Sequence, residues 1–332
     1  MTAVVSADAP GKLFLTGEYA VLDGAPALVA AVDRRVEVRV RLASGPDAVV
    51  VYSIAEGHRH VAGGGALPGG DAGAVLAAVR VARARRLVVA GRVEVTVDSR
   101  AFLFGGRKLG LGRSAATVTA AVAALVGGGE DGFAAALEAH ADFQEGRGSG
   151  GDVAASFHGG VVEVRRRDGR LAATARSLPA GLHLVVGYTG TAALTDPMLR
   201  RFAVAHAPRV LSDLRAAAER AAAAIARADG AAFLEAVDAS GDLLGALGEE
   251  AAIPIVTPTL ARLVAVARRT GAAAKPSGAG GGDCGIAFAR SPEHAAAVSE
   301  AWAAEGLVPL ALAITPDGVR HTHMSEGRVA LG

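Results

Sequence analysis

Several things are scarce in this 332-residue chain, and each absence removes a class of function. The single cysteine, Cys284, excludes an intrachain disulfide and fits a reducing compartment. Nine Phe, three Tyr and one Trp are too few to suggest a base-stacking surface. No sign of charge dominates: 34 Lys plus Arg face 33 Asp plus Glu, a net +1. That leaves no bulk field to draw in nucleic acid or an anionic membrane. No run of about 18 apolar residues occurs, so no membrane span is expected. The opening MTAVVSADAPGK lacks a basic stretch followed by an apolar one, so no signal peptide is read and a cytoplasmic protein is expected.

Lysine is the most informative scarcity. Only Lys12, Lys108 and Lys275 occur, against 31 arginines. Where arginine serves as the general cation, a lysine marks a place for a compact point charge, such as a phosphate contact. All three lie in or beside glycine-rich stretches: APGKLFLTGEYAV, KLGLGRSAA and KPSGAGGGDCGIAF.

Alanine-rich stretches with helical periodicity predict helices at 73–86, 114–126, 130–145, 211–228, 231–247, 258–269 and 292–304. Runs rich in β-branched residues predict strands at 2–7, 27–43 (broken), 48–54, 92–98, 160–166, 182–188, 285–290 and 307–313. Residues 165–170 read as a hairpin turn with a solvated charge cluster. Strands and helices mix before residues 180–190. After them one strand leads into several helices and a strand–helix–strand close, so two layered α+β units are expected, 1–180 and 181–332.

The stretch Lys108–Ala116 reads as an anion cradle. Gly110 and Gly112 let backbone amides point inward around Leu111 and Arg113, and Ser114 and Ala115 open a helix whose free amides and dipole favour a phosphate. Lys108 adds a charge, and the Ser114 hydroxyl suits a phosphate oxygen or magnesium. It is no Walker A loop, because Gly11-Lys12 is followed by Leu13. Gly280, Gly282 and Gly285 spell GxGxxG, but a strand-like run follows them where a Rossmann site needs a helix. Asp152, after the turn Gly146–Gly151, is either an N-cap or a catalytic carboxylate, and its company among glycine loops favours the latter. Cys284 reads as a small buried side chain. The pairs His58/His60 and His321/His323 read as solvated residues without matching carboxylates, and His140 is expected on a helix face or behind the site.

Together these stretches resemble the GHMP kinases, in three ordered motifs: APGKLFLTGEYAVLDG, GLGRSAA and SGAGGGDCGIA. The lean is to the phosphomevalonate kinase branch, with mevalonate kinases next. It rests on GEYAVL, a lysine before GLG, and GAGGGDCG, in which Asp283 stands where mevalonate kinases more often have glycine. AHADFQEGRGSGGDVAAS and VGYTGTAALT match in the same way.

The resemblance implies a two-domain α+β fold, ribosomal-protein-S5-like in the first unit and ferredoxin-like in the second. It implies ATP with Mg2+ across Gly110–Ala115, with Ser114 as metal or phosphate contact. Lys12, Lys108 and Asp152 fall in the catalytic centre, and Lys12, Glu18, Tyr19, Ser149, Gly278, Ala279, Gly280 and Asp283 lie on the substrate side. The expected partners are small molecules, with no nucleic acid and no membrane, in a monomer or homodimer. Two positions depart from the pattern: Arg113 replaces a serine, and Thr191 stands where TGK is common. Three readings stay open on sequence: phosphorylation of phosphomevalonate, phosphorylation of the mevalonate hydroxyl, or a degenerate member that binds without turnover.

Overall fold

Alternating apolar residues and alanine-faced helices build two layered units. The computed structural model describes residues 4–62, 66–86, 91–167, 169–193, 198, 201–202 and 207–324. Residues 2 and 3 of the first expected strand, Asp168 in the expected turn, and Leu194 and Thr195 lie outside the described residues.

The first unit is an eight-stranded sheet made of β1 (Val4–Thr16), β2 (Ala27–Ala43), β3 (Ala48–Ser53), β4 (His58–Val61), β5 (Arg92–Asp98), β8 (Val161–Arg167), β9 (Arg170–Arg176) and β14 (Arg320–Met324). A small hairpin, β6 (Leu103–Phe104) and β7 (Arg107–Lys108), precedes the phosphate-loop candidate. Strand β1 runs far past residue 7, so the first lysine motif lies on a strand. Pro10 and Gly11 hide the alternation, and a register shift falls between these same two residues.

Strand β2 is continuous where a break is expected. Its first half pairs with β8 and its second with β5. The charged Asp33–Arg35 fall in the gap, where the returning chain bridges Val32 to Ile314. Helices α1 (Gly70–Ala84), α2 (Arg113–Val126), α3 (Gly129–Phe143) and α4 (Gly151–His158) belong to this unit, and alanines at 115, 116, 120, 121 and 123 help bury the middle of α2, residues 115–124.

The second unit holds β10 (His183–Tyr188), α5 (Pro208–Ala226), α6 (Gly230–Glu250), α7 (Pro258–Arg269), β11 (Ala273–Pro276), β12 (Cys284–Ala289), α8 (Pro292–Ala304) and β13 (Val308–Leu310). Thr257 and Ser291 cap α7 and α8 through their side chains, each with proline in the first turn. The antiparallel order β11-β12-β10-β13, with helical crossovers, is ferredoxin-like. Its core centres on the buried Trp302, whose indole N–H donates to Leu263 O at 2.9 Å. The chain then returns to add β14 beside β1.

Candidate active site

The loop between β7 and α2 owes its shape to two glycines. Gly110 and Gly112 both have φ near +74°, a region that penalises a side chain. A Cβ on Gly110 would sit 2.2 Å from the Asp283 carboxyl carbon, and one on Gly112 would sit 2.8 Å from the Lys12 side chain. The glycines therefore let an acid from the second unit and a lysine from β1 close on the same loop. Lys12 is pinned there: its backbone N–H donates to Leu111 O at 2.8 Å and its Nζ to Gly110 O at 3.3 Å. No side chain caps α2, which leaves the amides of its first turn available to an anion. Leu111 and Ala115 are buried and offer the site only backbone. Lys108 is exposed on β7, beside the loop.

Arg113 points neither into bulk solvent nor onto an open phosphate site. Its Nη2 donates to Glu56 Oε1 at 2.7 Å and its Nε lies 3.6 Å from Asp71 Oδ1. The next residue serves a different neighbour. Ser114 Oγ lies 3.3 Å from Nε2 of the buried His140, whose Nδ1 lies 3.7 Å from Asp152 Oδ1. Three expected or candidate residues thus form one chain across α2, α3 and α4.

The second unit contributes the loop between β11 and β12. The two strands pair antiparallel, so the GxGxxG string lies in a hairpin-like connection with no helix after it. Asp283 has φ 56° and accepts from Ala193 N at 2.8 Å. Burial pushes its carboxyl above the usual aspartate range, opposed by that hydrogen bond and by Lys12 and Lys108. The completely buried Lys275 bonds to Glu18 Oε1 and donates to Pro276 O at 2.6 Å; burial lowers its pKa against the pull of Glu18. Glu18 also accepts from Gly278 N at 3.1 Å. The Tyr19 hydroxyl donates to Ala279 O at 2.6 Å, and Ser277 Oγ donates to Phe14 O at 3.0 Å. The first motif thereby holds the third across 257 to 263 residues of chain.

Two cavities adjoin at this place. One is walled by Phe14, Glu18, Tyr19, Ser149, Gly278 and Ala279, the other by Leu67–Asp71, Lys108 and Leu111–Ser114. Lys12, Gly110, Gln144, Asp152 and Asp283 line both. Of the expected substrate-side residues, Gly280 stands apart: a Cβ there would meet Ile255 O at 2.2 Å, and it lines neither cavity.

Three contributors are not among the expected site residues. Glu56 and Asp71 sit in unremarkable stretches, and Gln144 at the end of α3 has a buried Oε1 without a hydrogen-bond partner. Gln144 lies inside AHADFQEGRGSGGDVAAS, a stretch that resembles the family, but that stretch alone gives it no role.

Cys284 is buried, its thiol donating to Leu109 O at 3.2 Å, and burial raises its pKa strongly. Among the described residues no three His, Cys, Asp or Glu side chains gather to hold a metal. His58 and His60 lie on β4 and His321 on β14, in strands instead of loops. No helix is long and apolar enough to cross a membrane among the described residues.

Comparison with known proteins follows the same lines. The family described as GHMP kinases C terminal matches residues 221–307. A phosphomevalonate kinase of Streptomyces sp. (strain CL190) is 34% identical, covering 94% of this chain and 97% of the relative. A mevalonate kinase of Aeropyrum pernix is 33% identical, covering 88% and 91%. In fold the chain is similar to Streptococcus pneumoniae phosphomevalonate kinase, solved in complex with phosphomevalonate and AMPPNP. The TM-score is 0.77 at 22% identity, covering 93% of this chain and 99% of that one.

Proposed function

The chain belongs to the GHMP kinases and is a phosphotransferase, and from that premise we propose that it transfers the γ-phosphoryl group of Mg-ATP to the phosphate of (R)-5-phosphomevalonate. The reading places this step in isoprenoid synthesis by the mevalonate route. The observation that carries it is the pair of cavities sharing Lys12, Gly110, Asp152 and Asp283. Triphosphate on the α2 side and acceptor on the Glu18–Ala279 side would bring the two reacting groups together at one lysine. Unit 1–180 would carry the nucleotide and unit 181–332 would close the acceptor side, with β14 returning to the first sheet.

An acceptor phosphate has its second pKa at about 6, so it is anionic near neutral pH and needs no base to become a nucleophile. One of its oxygens attacks the γ-phosphorus, the bond to the β–γ bridging oxygen breaks, and ADP leaves. The difficulty is bringing two anions together, and fixed cations supply most of the help. Lys12 is held by backbone and by the ring of Phe14, 5.6 Å from Nζ to the centroid. Asp152 then orients groups at the junction, with His140 behind it. The magnesium ion travels with the nucleotide, and the Ser114 hydroxyl and Asp152 carboxylate are oxygen donors of the kind it takes.

An ADP-release assay with both acceptors tests the choice. Turnover of phosphomevalonate with little of mevalonate is expected. The reverse preference would replace the acceptor and leave the kinase assignment in place.

A further inference from the structure

The sequence resemblance puts a serine where this chain has Arg113, and the residue's surroundings give the exchange a role. Arg113 begins α2, but its guanidinium turns away from the loop toward the β3–β4 turn and the start of α1. Its side chain is 12% exposed, that of Glu56 19% and that of Asp71 only 1%. Asp71 Oδ2 accepts from Ser53 and Ser99, each at 2.7 Å, and Oδ1 lies 3.4 Å from Thr117 Oγ1, one turn along α2 from Arg113. Glu56 Oε1, the atom that takes Arg113, also accepts from Asp71 N at 3.3 Å. Two carboxylates therefore share one guanidinium. If Arg113 left them for a phosphate, Asp71 would be buried facing another carboxylate with only hydroxyls for partners, an expensive state.

We infer that Arg113 is a positioning residue of the nucleotide site: through Glu56 and Asp71 it fastens the phosphate loop to the Leu67–Asp71 segment, and so sets nucleotide affinity without touching the phosphates. Both segments wall the same cavity, Leu67 to Asp71 on one side and Gly110 to Ser114 on the other. The planar fork suits this task, because it spans two carboxylates that a lysine ammonium would have to choose between. The inference rests on the nucleotide reading of that cavity, so its test includes a measurement made without nucleotide.

The experiment compares the wild-type chain with Arg113→Ser, Glu56→Gln, the double variant and Arg113→Lys. In the ligand-free proteins, amide hydrogen exchange across residues 66–75 is expected to quicken in Arg113→Ser and Glu56→Gln. By calorimetry both are expected to bind Mg-ATP about tenfold more weakly, a coupling of ordinary size for one network. The double variant should be no worse than the weaker single, and Arg113→Lys should fall between. Weaker binding in Arg113→Ser with none in Glu56→Gln would overturn the inference in favour of a direct phosphate contact. Unchanged exchange and unchanged affinity in both would make the side chain a bystander. Should Arg113→Ser not fold, Arg113→Lys and Glu56→Gln give the same two readings. A wild-type chain that does not bind Mg-ATP would strike the nucleotide assignment alone, since the exchange measurement stands without it.

Discussion

The two walls of the cleft are built by opposite means. On the α2 side the cavity-facing surface is largely backbone: two left-handed glycines, a helix start without a side-chain cap, and lysines at its edge. On the other side the surface is held by charges removed from water, with Lys275 wholly buried against Glu18 and Glu18 in turn holding Gly278. The cradle takes its curve from its glycines, and Lys12 and Arg113 fasten it to its neighbours. A loop with glycine at 278, 280, 281 and 282 has little shape of its own, and here it is tied to β1 and Tyr19 from outside. The difference teaches that glycine serves two purposes: in one loop it shapes the surface, in the other it permits docking.

The largest effect is expected from breaking the second wall. Lys275→Met leaves Glu18 buried without its cation, and removing one partner of a buried pair costs about 3–5 kcal/mol. Urea unfolding should show that loss, and Glu18→Gln with Lys275→Met should recover much of it, since no unpaired charge remains. A loss below about 1 kcal/mol for the single variant would mean that the pair does not hold the wall. Lys12→Ala is expected to leave stability nearly intact, because its side chain is only half-buried and sits at the junction. Its cost should instead fall on turnover, about 10²–10³-fold in kcat, the usual size for one preorganised charge donor. Near-normal turnover with normal folding would remove Lys12 from the chemistry.

The same contrast explains what could be read from the sequence. The bend of the Gly110–Gly112 loop is legible because glycine spacing and a helix start are local, and both glycines have the positive φ that such a bend needs. Long helices such as α2 and α5 were legible from alanine periodicity, within a few residues at each end. Glu18 and Lys275 could each be noticed, but nothing local joins two residues 257 apart. Arg113 departs from the resembling pattern with no reason visible in the sequence, because its partners, Glu56 and Asp71, come from segments without a motif. Strand β14 escaped notice since HTHM carries little β-branched signal and its pairing with β1 closes nearly the whole chain. Interactions within a turn or two are written in spacing; charge partners across the fold are written only in geometry.

Asp283 lies where the two walls meet, and it offers the smallest and most direct probe of the difference. Burial raises its carboxyl above the ordinary value, so on acidification the folded chain takes up this proton before the unfolded chain does. Below the unfolded value both states are protonated and the group contributes nothing to the pH dependence. As pH rises from there toward the folded value, the unfolded state ionises first and binds fewer protons, so stability falls across that window and then levels. Asp283→Asn removes the titration while keeping an acceptor for Ala193 N. Unfolding measured without ligand from acid to neutral pH should therefore show the wild-type chain losing ground to the variant as pH climbs, with the loss complete once Asp283 is ionised in the fold. Parallel curves, or a wild type that gains on the variant, would show that Lys12 and Lys108 compensate the buried carboxylate fully. The junction would then belong electrostatically to the exposed wall of lysines instead of the buried one.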